Sequence, residues 1–437
     1  MQNDIARTVL NEGVQRREVF GWAAYDFANS GYTTVVLTAV FNAYFVGVVA
    51  QGQDWGTLAW TLTLGVSSLL IMFTAPGIGA YADRYGRKKV LLGAATAACV
   101  LGTAGLALVG RGDLWLAVAL IILTNYAFSL GETLNGAFLP ELARPNHVGT
   151  VSGWGWSFGY FGGMLTLGLS LAWVMQQQAA GATAEQFVPG TMLITAVVFA
   201  VASVLTFVLL RERAGAQGAR IHQPEESGLQ QLWRSYQKLA HTPQFARLLA
   251  CGVLYQAGIS VVITLAAVYA AEVMGFTQTQ TMMLVFLVNI AAALGAFGFG
   301  YLQDRLGHRR ALTITLVAWM LMVVLAYFAR TATLFWVAAV FAGLAMGSSQ
   351  SCGRAMVALL APPSMLAEFF GLWAFATRLA AVVGPVTYGL ITWVTEGNHR
   401  IAMLVTGLFF VLAWWVLRKL DMAAGQRQAE ALEAEQG

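Results

Sequence analysis

Apolar residues in this chain come in long unbroken runs, and polar residues collect in the short stretches between them. Twelve such runs fall near residues 20–48, 57–80, 89–110, 114–139, 150–175, 188–210, 248–272, 281–302, 311–329, 333–359, 369–394 and 401–419. A bilayer core takes about 20 apolar residues wound as a helix. Each run is long enough to span, and the lack of a two-residue alternation argues against a membrane barrel. The pattern predicts an all-α membrane protein with twelve transmembrane helices, six in each half of the chain.

Composition agrees, with 58% hydrophobic residues against 11% charged and a mean hydropathy of +0.65. Lipid rather than water is the main solvent for such a chain. The placement of charge adds a topology. Twenty of the 25 Lys and Arg residues lie in the loops after even-numbered runs or near the two ends of the chain, and only Arg111, Arg330 and Arg400 lie in the other loops. The positive-inside rule then predicts that both termini are cytosolic. The net charge of +4 reflects this topology, so nucleic acid is not an implied partner. The organisation expected is a cytosolic segment 1–19, a six-helix bundle 20–210, a cytosolic linker 211–247, a second bundle 248–420 and a disordered cytosolic tail 421–437. In the linker, Leu229, Leu232, Trp233, Tyr236 and Leu239 recur at helical spacing, which predicts a short interfacial helix.

Catalytic and metal chemistry find little support. Cys99, Cys251 and Cys352 fall inside predicted spans without paired spacing, so neither disulfides nor a thiolate metal site is expected. All five histidines fall in predicted loops, which leaves the spans without a histidine proton relay. No cleaved signal peptide, nucleotide-binding loop, Ser-His pair or carboxylate dyad is apparent, and neither an enzyme nor a cofactor is expected.

One signal occurs twice. Gly79-Ala-Tyr-Ala-Asp83-Arg84-Tyr-Gly86-Arg87-Lys88 and Gly300-Tyr-Leu-Gln-Asp304-Arg305-Leu-Gly307-His308-Arg309 share a G-x-x-x-D-R-x-G-[RH]-[KR] pattern, 221 residues apart, each after the second run of its half. Gly79 and Gly300 permit close helix packing, Gly86 and Gly307 a tight turn, and Asp83 and Asp304 can sit against a neighbouring helix N-terminus, where the helix dipole favours an anion. Twelve spans in two parallel halves with this doubled motif resemble the major facilitator superfamily. The resemblance covers the whole chain and implies alternating access, with the motif residues, including Arg84, Arg87, Arg305 and Arg309, gating the cytosolic side. A narrower resemblance rests on Trp22-Ala-Ala-Tyr25-Asp26-Phe-Ala-Asn29-Ser30-Gly31-Tyr32, Ala137-Phe-Leu-Pro140-Glu141, Ser152-Gly-Trp154-Gly-Trp-Ser-Phe-Gly159, and Gln350-Ser-Cys-Gly-Arg354 followed by Ala367-Glu368-Phe-Phe-Gly371. These stretches are similar to the fungal autophagy-related vacuolar amino-acid effluxers and their bacterial relatives. The sequence has Arg378 and Gln256 where that branch would lead one to expect Lys and Asn or Asp.

Four ionisable residues stand plainly inside spans: Asp26, Glu132, Arg354 and Arg378. Such groups cost about 2.5 to 3.5 kcal/mol or more at mid-bilayer unless paired or wet, which makes them candidates for function. Glu132 and Arg354 stand one repeat length apart to within a residue, so a pair between them across the bundle interface is expected. Asp26 is the candidate for proton coupling, with a local helix-capping role as the alternative. Tyr25, Asn29, Asn125, Tyr255, Gln256 and Gln350 add hydrogen-bonding groups on the same spans as a candidate solute cavity. The stripe Gly155, Gly159 and Gly163 is either a simple packing surface or a sliding seam between the bundles.

Together these features lead us to expect a secondary transporter of a small polar or zwitterionic, amino-acid-like solute, coupled to protons and working as a monomer, in the plasma membrane if the source is bacterial. Export of amphipathic compounds is the alternative within the class, and a non-transporting receptor or scaffold the alternative outside it.

Overall fold

The computed structural model describes residues 9–53, 55–213, 237–276, 278–396 and 398–435. Among them are twelve helices long and apolar enough to cross a membrane. They are α1 (Arg16–Tyr32), α2 (Gly56–Tyr85), α3 (Lys88–Gly105), α4 (Leu114–Gly136), α5 (Val148–Ala179), α6 (Ala184–Leu209), α7 (Pro243–Glu272), α8 (Gln278–Leu306), α9 (His308–Phe328), α10 (Ala332–Leu360), α11 (Leu366–Val394) and α12 (His399–Leu417). The first membrane span continues past α1 to Val49 through two π-helical stretches, Thr33–Ala39 and Phe45–Val49. The β-branched run Thr33-Thr34-Val35-Val36 crowds an ordinary α-helical turn, and the Thr38 hydroxyl donates to the Thr33 carbonyl five residues back.

Glycine sets the ends of the two motif helices. Gly86 closes α2 at φ 58° and Gly307 follows α8 at φ 89°, both in the region that side chains with a Cβ rarely adopt. Each turn reverses the chain within one or two residues, and because six spans separate the two turns, both motifs lie on the same face of the molecule. We refer to this as the motif face.

The two halves meet chiefly along two seams, α2 against α11 and α5 against α8. The repeat maps α2 onto α8 and α5 onto α11, so the seams are pseudo-symmetric copies of one another. Small residues let the backbones approach. A Cβ on Gly79 would strike the Ala367 carbonyl, one on Gly371 would strike Pro76, and one on Gly153 would strike the Ala296 carbonyl. Close approach of this kind suits a membrane interior, where packing and polar contacts rather than water exclusion hold helices together. The Ser157 hydroxyl donates to the Ala293 carbonyl and Trp154 Nε1 to the Tyr301 hydroxyl across the α5–α8 seam.

One open reading is decided and two expectations are revised. The stripe of Gly155, Gly159 and Gly163 faces the first span, meeting Asp26, Ser30 and Thr34 of its own half, and Gly155 also lies against Arg354 of the other half. It is a packing surface, and the seam between halves on α5 runs instead through Gly149, Gly153 and Ser157. The tail expected to be disordered forms a helix, α13 (Met422–Ala434), because Asp421 accepts from the main-chain N–H groups of Ala423 and Ala424 as an N-cap and Gly425, Ala429 and Leu432 bury a small apolar stripe. Finally, His308 and His399 are not loop residues but the first residues of α9 and α12. Of the predicted linker helix, Leu229, Leu232, Trp233 and Tyr236 lie outside the described residues.

Gly153→Leu would force α5 and α8 apart, at an overpacking cost of about 1–3 kcal/mol. The expected outcome is increased thiol-reagent access to a cysteine introduced at the motif face. Cys99, Cys251 and Cys352 are all buried and give little background. Unchanged labelling of the Gly153→Leu protein would contradict the seam.

Candidate functional site

At the motif face, each aspartate of the doubled motif reaches a helix start in the opposite half. Asp83 accepts from the Glu368 N–H at 3.0 Å, in the first turn of α11. Asp304 accepts from the Gly149 and Thr150 N–H groups at 3.0 and 2.7 Å, in the first turn of α5. The carboxylates thus satisfy main-chain donors that have no partner within their own helix and lie at the positive ends of the helix dipoles. The surroundings of the two motifs differ. Lys88 is fully buried, 2.6 Å from Glu141 and 3.5 Å from Asp83, and its ammonium lies over the Phe138 ring. In the second motif the corresponding side chain, Arg309, donates to the Leu420 carbonyl. Arg87 donates to the Tyr81 hydroxyl, the Arg84 guanidinium lies over the Tyr85 ring, and Arg305 is exposed. Gly300 packs on Gly149 and Gly153.

Deeper in the bundle, Arg354 of α10 crosses the interface. Its Nη1 lies 2.6 Å from Asp26 Oδ2 on α1, its Nη2 donates to the Ser152 carbonyl at 2.8 Å and its Nε to the Ser152 hydroxyl at 3.2 Å. The guanidinium is sandwiched between Trp22 and Trp156, with its carbon 4.7 and 5.2 Å from the ring centres. Asn135 Nδ2 completes the cluster by donating to Asp26 Oδ1 at 3.1 Å. Asp26 therefore binds an arginine from the other half rather than capping its own helix locally.

Beside this cluster lies a looser pair. Arg378 Nη2 on α11 donates to Ser129 Oγ at 2.6 Å, and the same nitrogen stands 3.8 Å from Glu132 Oε2 on α4. The two pairs differ in accessibility: the Asp26 and Arg354 side chains are 13% and 9% exposed, those of Glu132 and Arg378 44% and 20%.

The expected Glu132–Arg354 pair is thus corrected to two pairs, Asp26–Arg354 and Glu132–Arg378. Equal depth along repeat-related helices does not make two residues neighbours, because the pseudo-twofold places α10 against α5 and α4 against α11. Among the candidate cavity residues, Tyr25 and Tyr255 are fully buried in the packing of their own halves, with their hydroxyls seated in notches at Gly131 and Gly353. Gln256 and Gln350 bond to each other through both amides, at 2.8 and 3.3 Å. Asn125 donates to the Ser67 hydroxyl, and the side-chain oxygens of Asn29, Asn125 and Asn135 are buried acceptors without a hydrogen bond among the described residues. Sequence inspection missed Trp22, Trp156, Ser129, Asn135 and Ser152 as parts of the site. Only the closely spaced Trp154 and Trp156 near the start of α5 offered a signal.

A family model described as vacuole effluxer Atg22 like matches residues 57–430, most of the chain. The chain belongs to the Atg22-like family. It is similar to the uncharacterized MFS-type transporter YxiO of Bacillus subtilis, 25% identical over 91% of this chain and 93% of the relative. It is also similar to autophagy-related protein 22 of Kluyveromyces lactis, 26% identical over 47% of this chain and 44% of that protein, so the match to this fungal relative spans less than half of either. Among solved structures, the human organic anion transporter MFSD10 superposes with a TM-score of 0.74 at 16% identity, over 92% of this chain and 99% of that one. A bacterial homologue of the iron transporter ferroportin in an outward-facing state superposes with a TM-score of 0.70 at 17% identity, over 93% of this chain and 99% of that one. Identities this low speak to the fold, which is that of the major facilitator superfamily. This Atg22-like protein is therefore a multi-pass membrane transporter of that superfamily and not an enzyme.

In this Atg22-like protein Arg354→Gln would leave Asp26 buried without its counter-ion, a loss of about 3–5 kcal/mol by analogy with broken buried ion pairs. A marked fall in the thermal unfolding midpoint in detergent is expected for the single variant. Part of it should return in Asp26→Asn/Arg354→Gln, where no lone charge remains. A double variant as unstable as the sum of the two single variants would deny the coupling.

Proposed function

We propose that the protein carries a small zwitterionic solute of amino-acid type by alternating access, with protons as the coupling ion. The observation that carries this reading is the Glu132–Arg378 pair, an acid and a base 3.8 Å apart at the interface between halves, with Glu132 nearly half exposed. Arg378 is held at Ser129 through Nη2, and a guanidinium has donors to spare for a carboxylate. Glu132 suits an ammonium group. A solute bearing both charges on neighbouring atoms would satisfy the pair better than its loose mutual contact does. Asn29 and Asn125 contribute unpaired acceptors on the same two helices as Asp26 and Glu132.

Asp26 is the coupling group in this proposal. Protonation would remove the charge that holds Arg354, weaken the contact between α1 and α10, and favour opening of the motif face. With both termini assigned to the cytosol by the Lys and Arg distribution, the closed motif face corresponds to an outward-facing state, and the protein acts as a monomer in a plasma membrane if bacterial.

Uptake and counterflow of a labelled amino-acid panel in proteoliposomes, with and without an imposed pH gradient, test the reading. One amino acid is expected to accumulate only with the gradient. Asp26→Asn should abolish gradient-driven accumulation, while Glu132→Gln and Arg378→Gln should raise the half-saturating concentration about tenfold or more, as loss of a charged hydrogen bond worth about 1.5–3 kcal/mol implies. Flux of amphipathic organic compounds with no amino-acid flux would replace the substrate assignment, and no flux of either class would favour a receptor or scaffold.

A further inference from the structure

We infer that Ser129 is a positioning residue of the solute site: its hydroxyl holds the Arg378 guanidinium off Glu132 and so keeps the acid and the base open to a solute. The inference rests on the zwitterion reading of that pair and adds what sets the spacing within it. Ser129 and Glu132 stand three residues apart on α4, so both belong to one face of the helix. Arg378 reaches that face from α11 and meets two acceptors. The carboxylate is the stronger of the two, because charge on both partners shortens and strengthens a hydrogen bond. Yet Arg378 Nη2 lies 2.6 Å from the neutral Ser129 Oγ and 3.8 Å from Glu132 Oε2, which is beyond hydrogen-bond reach.

The reason lies in how Ser129 is fixed. Its single hydroxyl proton is donated to the Asn125 carbonyl one turn back, at 2.7 Å, so the oxygen meets Arg378 only as an acceptor. Ser129 is 2% exposed. Asn125 is anchored in turn, its amide donating to the Ser67 hydroxyl on α2 at 3.0 Å. The acceptor that holds Arg378 therefore belongs to the packed interior of the first half. Glu132 is placed in the opposite way: its side chain is 44% exposed, and among the described residues its carboxylate accepts no hydrogen bond. Without the Ser129 hydroxyl, Arg378 has no other hydrogen-bond acceptor among the described residues, and the guanidinium closes on Glu132 as a direct ion pair. A solute would then have to break a charged hydrogen bond before it could bind. With the hydroxyl present, Arg378 keeps donors for a carboxylate and Glu132 keeps its oxygens for an ammonium group, an arrangement prepared before the solute arrives. Ser129 acts on affinity through Arg378, without touching the solute.

The first arm of the test needs no solute. Glu132→Gln is made in the full-length protein alone, with Ser129→Ala and with Ser129→Thr, and thermal unfolding is followed in neutral detergent. Alone, Glu132→Gln is expected to move the midpoint little, because the pair it breaks is loose. Combined with Ser129→Ala it should lower the midpoint clearly relative to Ser129→Ala, because a closed ion pair is then lost. Combined with Ser129→Thr, which keeps the hydroxyl, it should again have little effect. An equal effect of Glu132→Gln with and without Ser129→Ala would overturn the role of Ser129, whatever the protein carries. The second arm measures uptake of the transported amino acid in proteoliposomes. Ser129→Ala should raise the half-saturating concentration about tenfold, the scale of one charged hydrogen bond, with a smaller effect on the maximal rate, and Ser129→Thr should restore it. An unchanged half-saturating concentration in Ser129→Ala would likewise overturn the inference. Unequal midpoint shifts in a protein that carries no amino acid would uphold the spacing role of Ser129 and overturn the zwitterion reading instead.

Discussion

A charge inside a membrane protein must be paired or hydrated, and here the pairs formed by Asp26, Glu132, Arg354 and Arg378 are made between the two halves of the chain. Asp26 with Arg354 joins α1 to α10, Glu132 with Arg378 joins α4 to α11, and Asp83 and Asp304 join α2 and α8 to the starts of α11 and α5. None of these groups is satisfied wholly within its own bundle. The arrangement ties the stability of each half to the position of the other, and it turns the interface into a set of contacts that separate together or not at all.

The contacts are graded by depth. At the motif face the anions meet helix starts, interactions worth about 0.3–1 kcal/mol each and up to about 2 when partly buried. Further in, Arg354 is surrounded by a carboxylate, a carbonyl, a hydroxyl and two indole faces, so its departure from Asp26 is the costliest step. Beside it the Glu132–Arg378 pair is looser and more accessible. Tight contacts lie on one side of the accessible pair, and the geometry suits a path that is shut at one end.

The membrane class, the number of spans, the repeat and the motif could all be read from the sequence, because lipid demands long apolar helices and the motif glycines have no substitutes at positive φ. The four intramembrane charges were also legible, since their cost in lipid marks them wherever they occur. Their pairing was not. Register along the chain gives depth, but the choice of partner depends on which helices the pseudo-twofold brings together, and Glu132 meets Arg378 for that reason. Tyr25 and Tyr255 carried polar atoms like any cavity residue, and only the glycine notches of the facing helices show that they are core. The tail looked polar and structureless because its apolar stripe, Gly425, Ala429 and Leu432, is made of small or widely spaced residues.

The central claim, that breakable polar contacts at the motif face hold the halves together, is tested most directly by the distance between them. Spin labels at Val90 on α3 and Ile314 on α9, both exposed, report the separation of the two halves at this face. The account expects a single short distance in the wild-type protein and a second, longer population in Asp83→Asn/Asp304→Asn. An unchanged distance distribution in that variant would contradict it.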